Sequence, residues 1–170
     1  LQKFLRLGHR SPQTPARLDL VELMDGALQL VRPAFDHAHV RLESRSPSDG
    51  VFVKGDPESL RELALNLLLN ALEATGGTRS GDAFVRLETS VPEPGAAEIC
   101  VTDSGPGPAA ETSRRMFEPF VSEKPEGTGL GLHLAKQIAE ANGGWIDWKR
   151  EDGLTRFLVR IPLAITEDRS

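Results

Sequence analysis

Two short glycine clusters hold the residues best suited to chemistry: Asp103-Ser-Gly-Pro-Gly107 and, one loop later, Gly127-Thr-Gly-Leu-Gly-Leu132. The first follows Glu98-Ile-Cys-Val-Thr102, which reads as a strand, so Asp103 places a carboxylate at a strand end. The second opens the amphipathic run Leu132 to Ala141, which reads as a helix. Glycine admits positive φ and close approach of the backbone to a ligand, and a helix start offers unpaired N–H groups to an anion. A strand-end carboxylate beside a glycine-rich helix start suits a purine carrying phosphates. Ordinary turns use the same residue types, so either cluster alone says little.

A third element must position them. Gly55-Asp56-Pro57 is an N-cap followed by an N1 proline, and the helix it starts runs from Pro57 to about Thr75, ended by Gly76-Gly77. At about 100° per residue, Leu60, Leu63, Ala64, Leu67 and Ala71 form one apolar stripe, and Leu65, Leu68 and Leu72 an adjacent one. Glu62, Asn66, Asn70 and Glu73 share the narrow polar window left over. A helix apolar over so much of its circumference packs on more than one side, so its polar strip faces a cleft.

Asn66 to Ala74, Asp103 to Gly107, Phe117-Glu-Pro-Phe120 and Gly127 to Leu132 resemble, in order and spacing, the N, G1, F and G2 boxes of sensor histidine kinases. That ATP-binding (Bergerat) domain is shared with gyrase-type ATPases, MutL and the large heat-shock chaperones. The wording Phe-Glu-Pro-Phe, Lys124, Gly-Thr-Gly-Leu-Gly-Leu is most similar to kinases of the nitrogen-regulation type. The resemblance covers about Asp19 to Pro162.

The resemblance implies ATP and Mg²⁺ as cofactors. It makes Asn70 a Mg²⁺ ligand and Asn66 a second ligand or a water-positioning group; hard amide oxygens suit an ion that takes most of its shell from triphosphate and water. Where gyrase-type hydrolases carry a Glu, Asn66 has no useful basicity, so bound ATP survives until another nucleophile arrives. Asp103 accepts the adenine exocyclic N–H, a bond strengthened by its charge, and repels the acceptor guanine presents there. Thr155 matches the late Thr that reaches adenine through water. Gly105, Gly107, Gly127, Gly129, Leu130, Gly131 and Leu132 belong to the nucleotide-binding turns, with Thr128 a cap or phosphate donor and Lys124 assigned to the γ-phosphate. Phe117 and Phe120 are lid packing or ligand contacts. Two residues depart from the pattern: Glu73 stands where many such kinases have a basic residue, and Ala74 where some have an aromatic over the adenine. None of His9, His37 and His39 has the acidic neighbour and following Pro-Leu of a phosphoacceptor. The chain therefore reads as the catalytic half of a kinase, with its acceptor histidine on a dimerisation domain elsewhere. A protein serine kinase of the anti-sigma type, or a nucleotide-binding module without transfer activity, are the alternatives.

Composition agrees with one globular domain. The 170 residues are 39% hydrophobic and 26% charged, and the net charge of −5 excludes a basic nucleic-acid-binding face. No apolar run approaches the ~20 residues of a membrane span, and the expected location is the cytoplasm, with any anchor of the parent protein outside the chain. Cys100 reads as a buried thiol in an apolar strand. Residues 1–16 are expected to be the tail of a dimerisation helix, or a frayed terminus, and a linker; 17–163 the catalytic domain; and 164–170 a tail. The expected partners are ATP or ADP, the protein's own dimerisation domain in a homodimer, and a response regulator.

In chain order, a helix capped by Asp19 ends or bends at Pro33, strands follow at Val40–Ser44 and Val51–Lys54, and after the second helix come strands at Asp82–Val91 and Ala96–Thr102. A short helix at Ala109–Met116 begins a lid reaching to Glu126. The helix after Gly129 stops at Asn142-Gly-Gly144, and Trp145–Lys149 and Leu154–Ile161 close the domain. These elements make an α+β fold, a two-layer sandwich of one mixed sheet with helices packed on one face.

Overall fold

The structure, a computed structural model, describes residues 15–76, 82–123 and 127–164. Its elements run β1 (Ala16–Asp19), α1 (Leu20–Ala38), β2 (Arg41–Arg45), β3 (Phe52–Gly55), α2 (Pro57–Thr75), β4 (Phe84–Glu93), β5 (Ala96–Asp103), α3 (Ala110–Ser113), α4 (Gly131–Ala141), β6 (Trp145–Glu151) and β7 (Leu154–Pro162). Five strands form a mixed sheet in the order β2-β4-β5-β7-β6, parallel only between β2 and β4. The α+β sandwich is as expected, with one addition: β1 and β3 pair antiparallel as a separate two-stranded sheet. β1 carries no apolar alternation to announce it. It exists through pairing with β3, and Asp19 at its end caps α1 by accepting from Val21 N–H at 2.9 Å.

Helix α1 neither ends at Pro33 nor stops near it; it continues to Ala38 and is closed by His39 in the left-handed region. Proline removes one helical N–H, but Arg32, Pro33 and Ala34 are exposed, so the freed carbonyl is on a watered flank, while Val31 and Phe35 on the other flank hold the helix to the core. Helix α2 has the expected limits, with Asp56 accepting from Glu58 N–H at 3.0 Å. Leu60, Leu63, Ala64, Leu67, Leu68 and Ala71 are all buried, and α2 lies between α1 and α4 over β4 and β5. Asn142, beyond α4, ties that helix to the start of α2: its Oδ1 accepts from Asp56 N–H at 3.0 Å and its Nδ2 donates to Ile138 O at 2.9 Å.

The core is the layer between these helices and the inward face of the sheet, built from Val85 and Leu87, Ile99 and Val101, Phe157, Val159 and Ile161. The outward face alternates charge. Glu43 binds Arg41 and Arg86, Glu98 binds Arg160, and Glu151 binds Lys149 and Arg156. Cys100 stands on this outer face, half-buried beside the Thr102 hydroxyl, and not in the core. Strand period 2 decides this: Ile99 and Val101 point inward, so Cys100 points out.

Candidate functional site

A row of residues crosses four strands at one end of the sheet. Val85 of β4 pairs with Asp103 of β5, Asp103 with Thr155 of β7, and Thr155 with Arg150 of β6. Directly opposed residues on neighbouring strands share a face, so Asp103, Thr155 and Arg150 form a polar row at the edge of an otherwise apolar layer. Asp103 and Thr155 are only 1% and 2% exposed, so each needs a partner. Asp103 Oδ1 accepts from Gly105 N–H at 2.9 Å. Thr155 Oγ1 accepts from Arg150 Nη1 at 2.7 Å, and the same nitrogen donates to Gly105 O at 2.9 Å. Burial pushes the Asp103 carboxyl up to about 6, against the pull of the Gly105 N–H and the Arg150 charge.

This loop needs its glycines. A Cβ on Gly105 would stand 2.5 Å from the Ala74 carbonyl oxygen at the end of α2. Gly107 has φ +79°, and a Cβ there would meet Arg150 Nη1 at 2.8 Å. The Asp103–Gly107 turn is thus clasped between the end of α2 and the Arg150 guanidinium.

The row opens into a cavity of about 560 Å³. Asn66, Asn70 and Glu73 line it from α2, Asp103, Gly107 and Thr155 from the sheet end, and Gly127, Thr128, Gly129, Gly131 and Leu132 from the turn into α4. Leu69, Met116, Val121 and Phe157 add apolar surface. The three motifs set far apart in sequence share one cleft. Helix α4 has no side-chain cap at Leu130, which leaves its first N–H groups directed to the cleft side where Gly131 abuts Asn66; a Cβ there would lie 3.6 Å from Asn66 Oδ1. Asn66 Nδ2 is buried without a hydrogen-bond partner. An Asn amide turns over without change of shape, so that position can present an oxygen as readily as a nitrogen. Two neutral amides, one of them unsatisfied, fit a Mg²⁺ ion that completes its shell with phosphate and water.

Several residues stand apart from the lining. Gly105 serves the turn behind Asp103. Phe117 is half-buried and packs edge-on against Phe157, ring centroids 6.4 Å apart, while His133 Nδ1 lies 3.0 Å from its carbonyl oxygen. Phe120 is 77% exposed, with φ +65°. Leu130 precedes α4 outside the lining, and Lys124 lies outside the described residues. Gly129 has φ +65°, and a Cβ on it would stand 2.5 Å from the Phe120 carbonyl carbon; Phe120 N–H donates to Gly129 O at 3.0 Å. The lid backbone therefore lies directly on this glycine, a constraint separate from any phosphate. The helix in the lid is shorter than expected, Ala110–Ser113, because Met116 turns inward to burial and the chain follows it. Its first N–H groups include Ala109 N–H, which donates to Glu123 Oε1 at 2.7 Å and draws the two ends of the segment together.

Arg150 is the residue that sequence reasoning missed. In sequence it is one more charge in a strand ending Lys149-Arg-Glu151; only the register of the β6–β7 hairpin shows that it faces Thr155.

Residues 55–165 match the model of the histidine kinase-, DNA gyrase B- and HSP90-like ATPase family. The chain belongs to this ATPase family. It is 35% identical over 164 residues to the C4-dicarboxylate transport sensor protein DctB of Rhizobium meliloti, covering 96% of this chain and 25% of that protein. It is 31% identical over 179 residues to the sensory histidine kinase/phosphatase NtrB of Rhodobacter capsulatus, covering 98% and 49%. The chain thus spans between a quarter and a half of these two relatives. The catalytic domain of histidine kinase ThkA shares the fold, with a TM-score of 0.77 at 23% identity over 88% of this chain and 95% of that one. Within the family the chain is an ATP-binding catalytic domain of the sensor histidine kinase type. Among the described residues no helix of this kinase domain is long and apolar enough to cross a membrane.

Proposed function

We propose that this kinase domain binds MgATP through adenine contacts at Asp103 and Thr155, and that the full-length protein transfers the γ-phosphoryl group to a histidine of a dimerisation domain outside this chain. The observation that carries the proposal is the convergence of Asp103, the Asn66–Asn70 strip and the uncapped start of α4 on one cavity. Asp103 accepts the adenine amino group, the glycine turn and α4 N–H groups receive the phosphates, and Asn70 with Asn66 holds Mg²⁺, with Lys124 at the γ-phosphate. Bound Mg²⁺ neutralises charge on the phosphate oxygens. Asn66 supplies no base for water, and catalysis of phosphoryl transfer is largely positioning and charge stabilisation, so ATP waits for the histidine nucleophile. The attacking imidazole nitrogen bonds to the γ-phosphorus as the bond to the β-bridging oxygen breaks, and ADP leaves.

The full-length kinase acts as a cytoplasmic-facing homodimer that passes the phosphoryl group to a response regulator. Labelling with [γ-³²P]ATP tests the reading when the full-length protein's dimerisation domain is supplied in trans. Acid-labile label should accumulate on that domain and none on this chain. Label on His9, His37 or His39, or rapid release of phosphate without transfer, would refute it.

A further inference from the structure

The exposed strand β6 holds a charged residue whose two hydrogen bonds both go to the base-recognition end of the cavity. Arg150 Nη1 donates to Thr155 Oγ1 at 2.7 Å and to Gly105 O at 2.9 Å, and the guanidinium lies against the Gly107 backbone. Glu151 and Leu154 are cross-strand partners, so the hairpin loop is the two residues Asp152 and Gly153, with φ of +52° and +75°. Positive φ at both is the signature of a type I′ turn, which matches strand twist and pins register. That register sets Arg150 opposite Thr155, and Thr155 opposite Asp103.

A threonine hydroxyl has one proton and two acceptor lone pairs. With a guanidinium donating into it, its proton must be directed elsewhere. Among the described residues the Thr155 hydroxyl makes no other hydrogen bond, and Thr155 lines the cavity. We propose that Arg150 is a positioning residue for base selection: by occupying Thr155 Oγ1 as a donor it commits the Thr155 hydroxyl to donate into the cavity, beside the Asp103 acceptor. This rests on the ATP-binding reading above and deepens it. An acceptor at Asp103 next to a donor at Thr155 complements the adenine edge, which offers an amino donor beside the N1 acceptor; guanine reverses both groups. Without Arg150 the hydroxyl rotates freely and can accept as well as donate, which relaxes the choice.

Arg150 also bears on the charge of Asp103, one residue further along the row. The groups around that carboxylate are the Gly105 N–H on its own loop, Thr155 from β7, Arg150 from β6, apolar Val85 from β4, and Glu73, which lines the same cavity from α2. Arg150 is the cation among them and helps keep Asp103 ionised.

Calorimetry of MgATP and MgGTP binding to the whole chain, with Arg150→Met, Arg150→Lys, Thr155→Val and the Arg150→Met/Thr155→Val double variant, tests the assignment; thermal melts report whether each variant folds. Arg150→Met should weaken ATP about tenfold, as expected for loss of a charge-assisted hydrogen bond, and narrow the preference over GTP. Arg150→Lys should recover much of the loss. Thr155→Val should weaken ATP similarly, and the double variant should bind no worse than either single one, because both changes remove the same oriented donor. The pH at which ATP affinity declines should move upward in Arg150→Met. Should Arg150→Met keep wild-type affinity and selectivity while wild type binds ATP, the positioning role is wrong and the ATP-binding reading stands. Losses that multiply in the double variant would also overturn it, by showing that Arg150 acts without Thr155. If wild type binds no nucleotide, both readings fall together.

Discussion

The two ends of the cavity are built differently. At the base end, Asp103 and Thr155 are almost fully buried, each has a hydrogen-bond partner, and Gly105 is clasped against the end of α2. At the phosphate end, Phe120 is exposed, Gly127 and Thr128 lie at the surface, Asn66 Nδ2 has no partner, and α4 starts without a side-chain cap. Buried polar groups must be satisfied by the fold itself, whereas groups waiting for an anion and a cation stay open until both arrive. Base recognition is therefore finished on folding, and the phosphate site is completed by its ligand.

The sharpest way to break this contrast is Asp103→Asn. A carboxyl moved from its ordinary 3.8 to about 6 has its ionised form disfavoured by about 3 kcal/mol at neutral pH. The sign follows from proton binding: between pH 3.8 and 6 the folded chain holds the proton more often than the unfolded one. The penalty is therefore complete above pH 6 and disappears as pH falls through that window. Asp103→Asn keeps the shape, and its amide oxygen can still accept from Gly105 N–H. It should raise stability at pH 7 by up to about 3 kcal/mol while weakening ATP more than about tenfold. Denaturant melts at pH 4 and pH 7 beside calorimetry check this; a variant less stable than wild type at pH 7 would show that Asp103 stabilises the fold.

Next is a pair of glycine changes, one at each end. Gly105→Ala sets a methyl against the Ala74 carbonyl, backbone against backbone, and should cost about 1–3 kcal/mol and most nucleotide binding. Gly129→Ala meets the Phe120–Val121 backbone instead, which belongs to an exposed segment able to shift. It should cost about 1–2 kcal/mol from φ alone and speed amide exchange in 109–123. Equal exchange in wild type and Gly129→Ala would show that the lid does not rest on this glycine.

The smallest effect is at Lys124. If it holds the γ-phosphate, ATP should protect the amides of 109–126 from exchange more than ADP does, since a ligand shifts a segment only by its differential affinity for the two states. Lys124→Ala should shrink that difference while changing ADP affinity by about 1 kcal/mol or less. Identical exchange with ATP, ADP and no nucleotide would mark the segment as an ordinary surface loop.

The fold was legible where local chemistry and periodicity agree. Asp56 and Pro57 start α2 and its doubled apolar stripe demands burial on two sides, so its limits and its cleft-facing strip follow from residues alone. Alternation in β4, β5 and β7 placed the sheet. What escaped depends on contacts between distant segments. β1 owes its existence to β3, and Pro33 is tolerated because it falls on the exposed flank of α1. The two glycine motifs and the Asn strip were readable as clusters. Arg150 was not, since only cross-strand register brings it to Thr155 and Gly105. Gly129 showed a need for glycine without showing that the lid backbone imposes it.

The order of the sheet leaves β2 and β6 as its edges. Exposed strand edges are templates for pairing with another chain. β2 is five residues long and carries Arg41, Glu43 and Arg45; β6 carries Asp147, Lys149, Arg150 and Glu151, and its exposed Trp145 has the Arg160 guanidinium 5.3 Å from the ring centre. Both borders of the domain thus resist strand addition, so the protein can be concentrated without its sheets stacking end to end into fibrils.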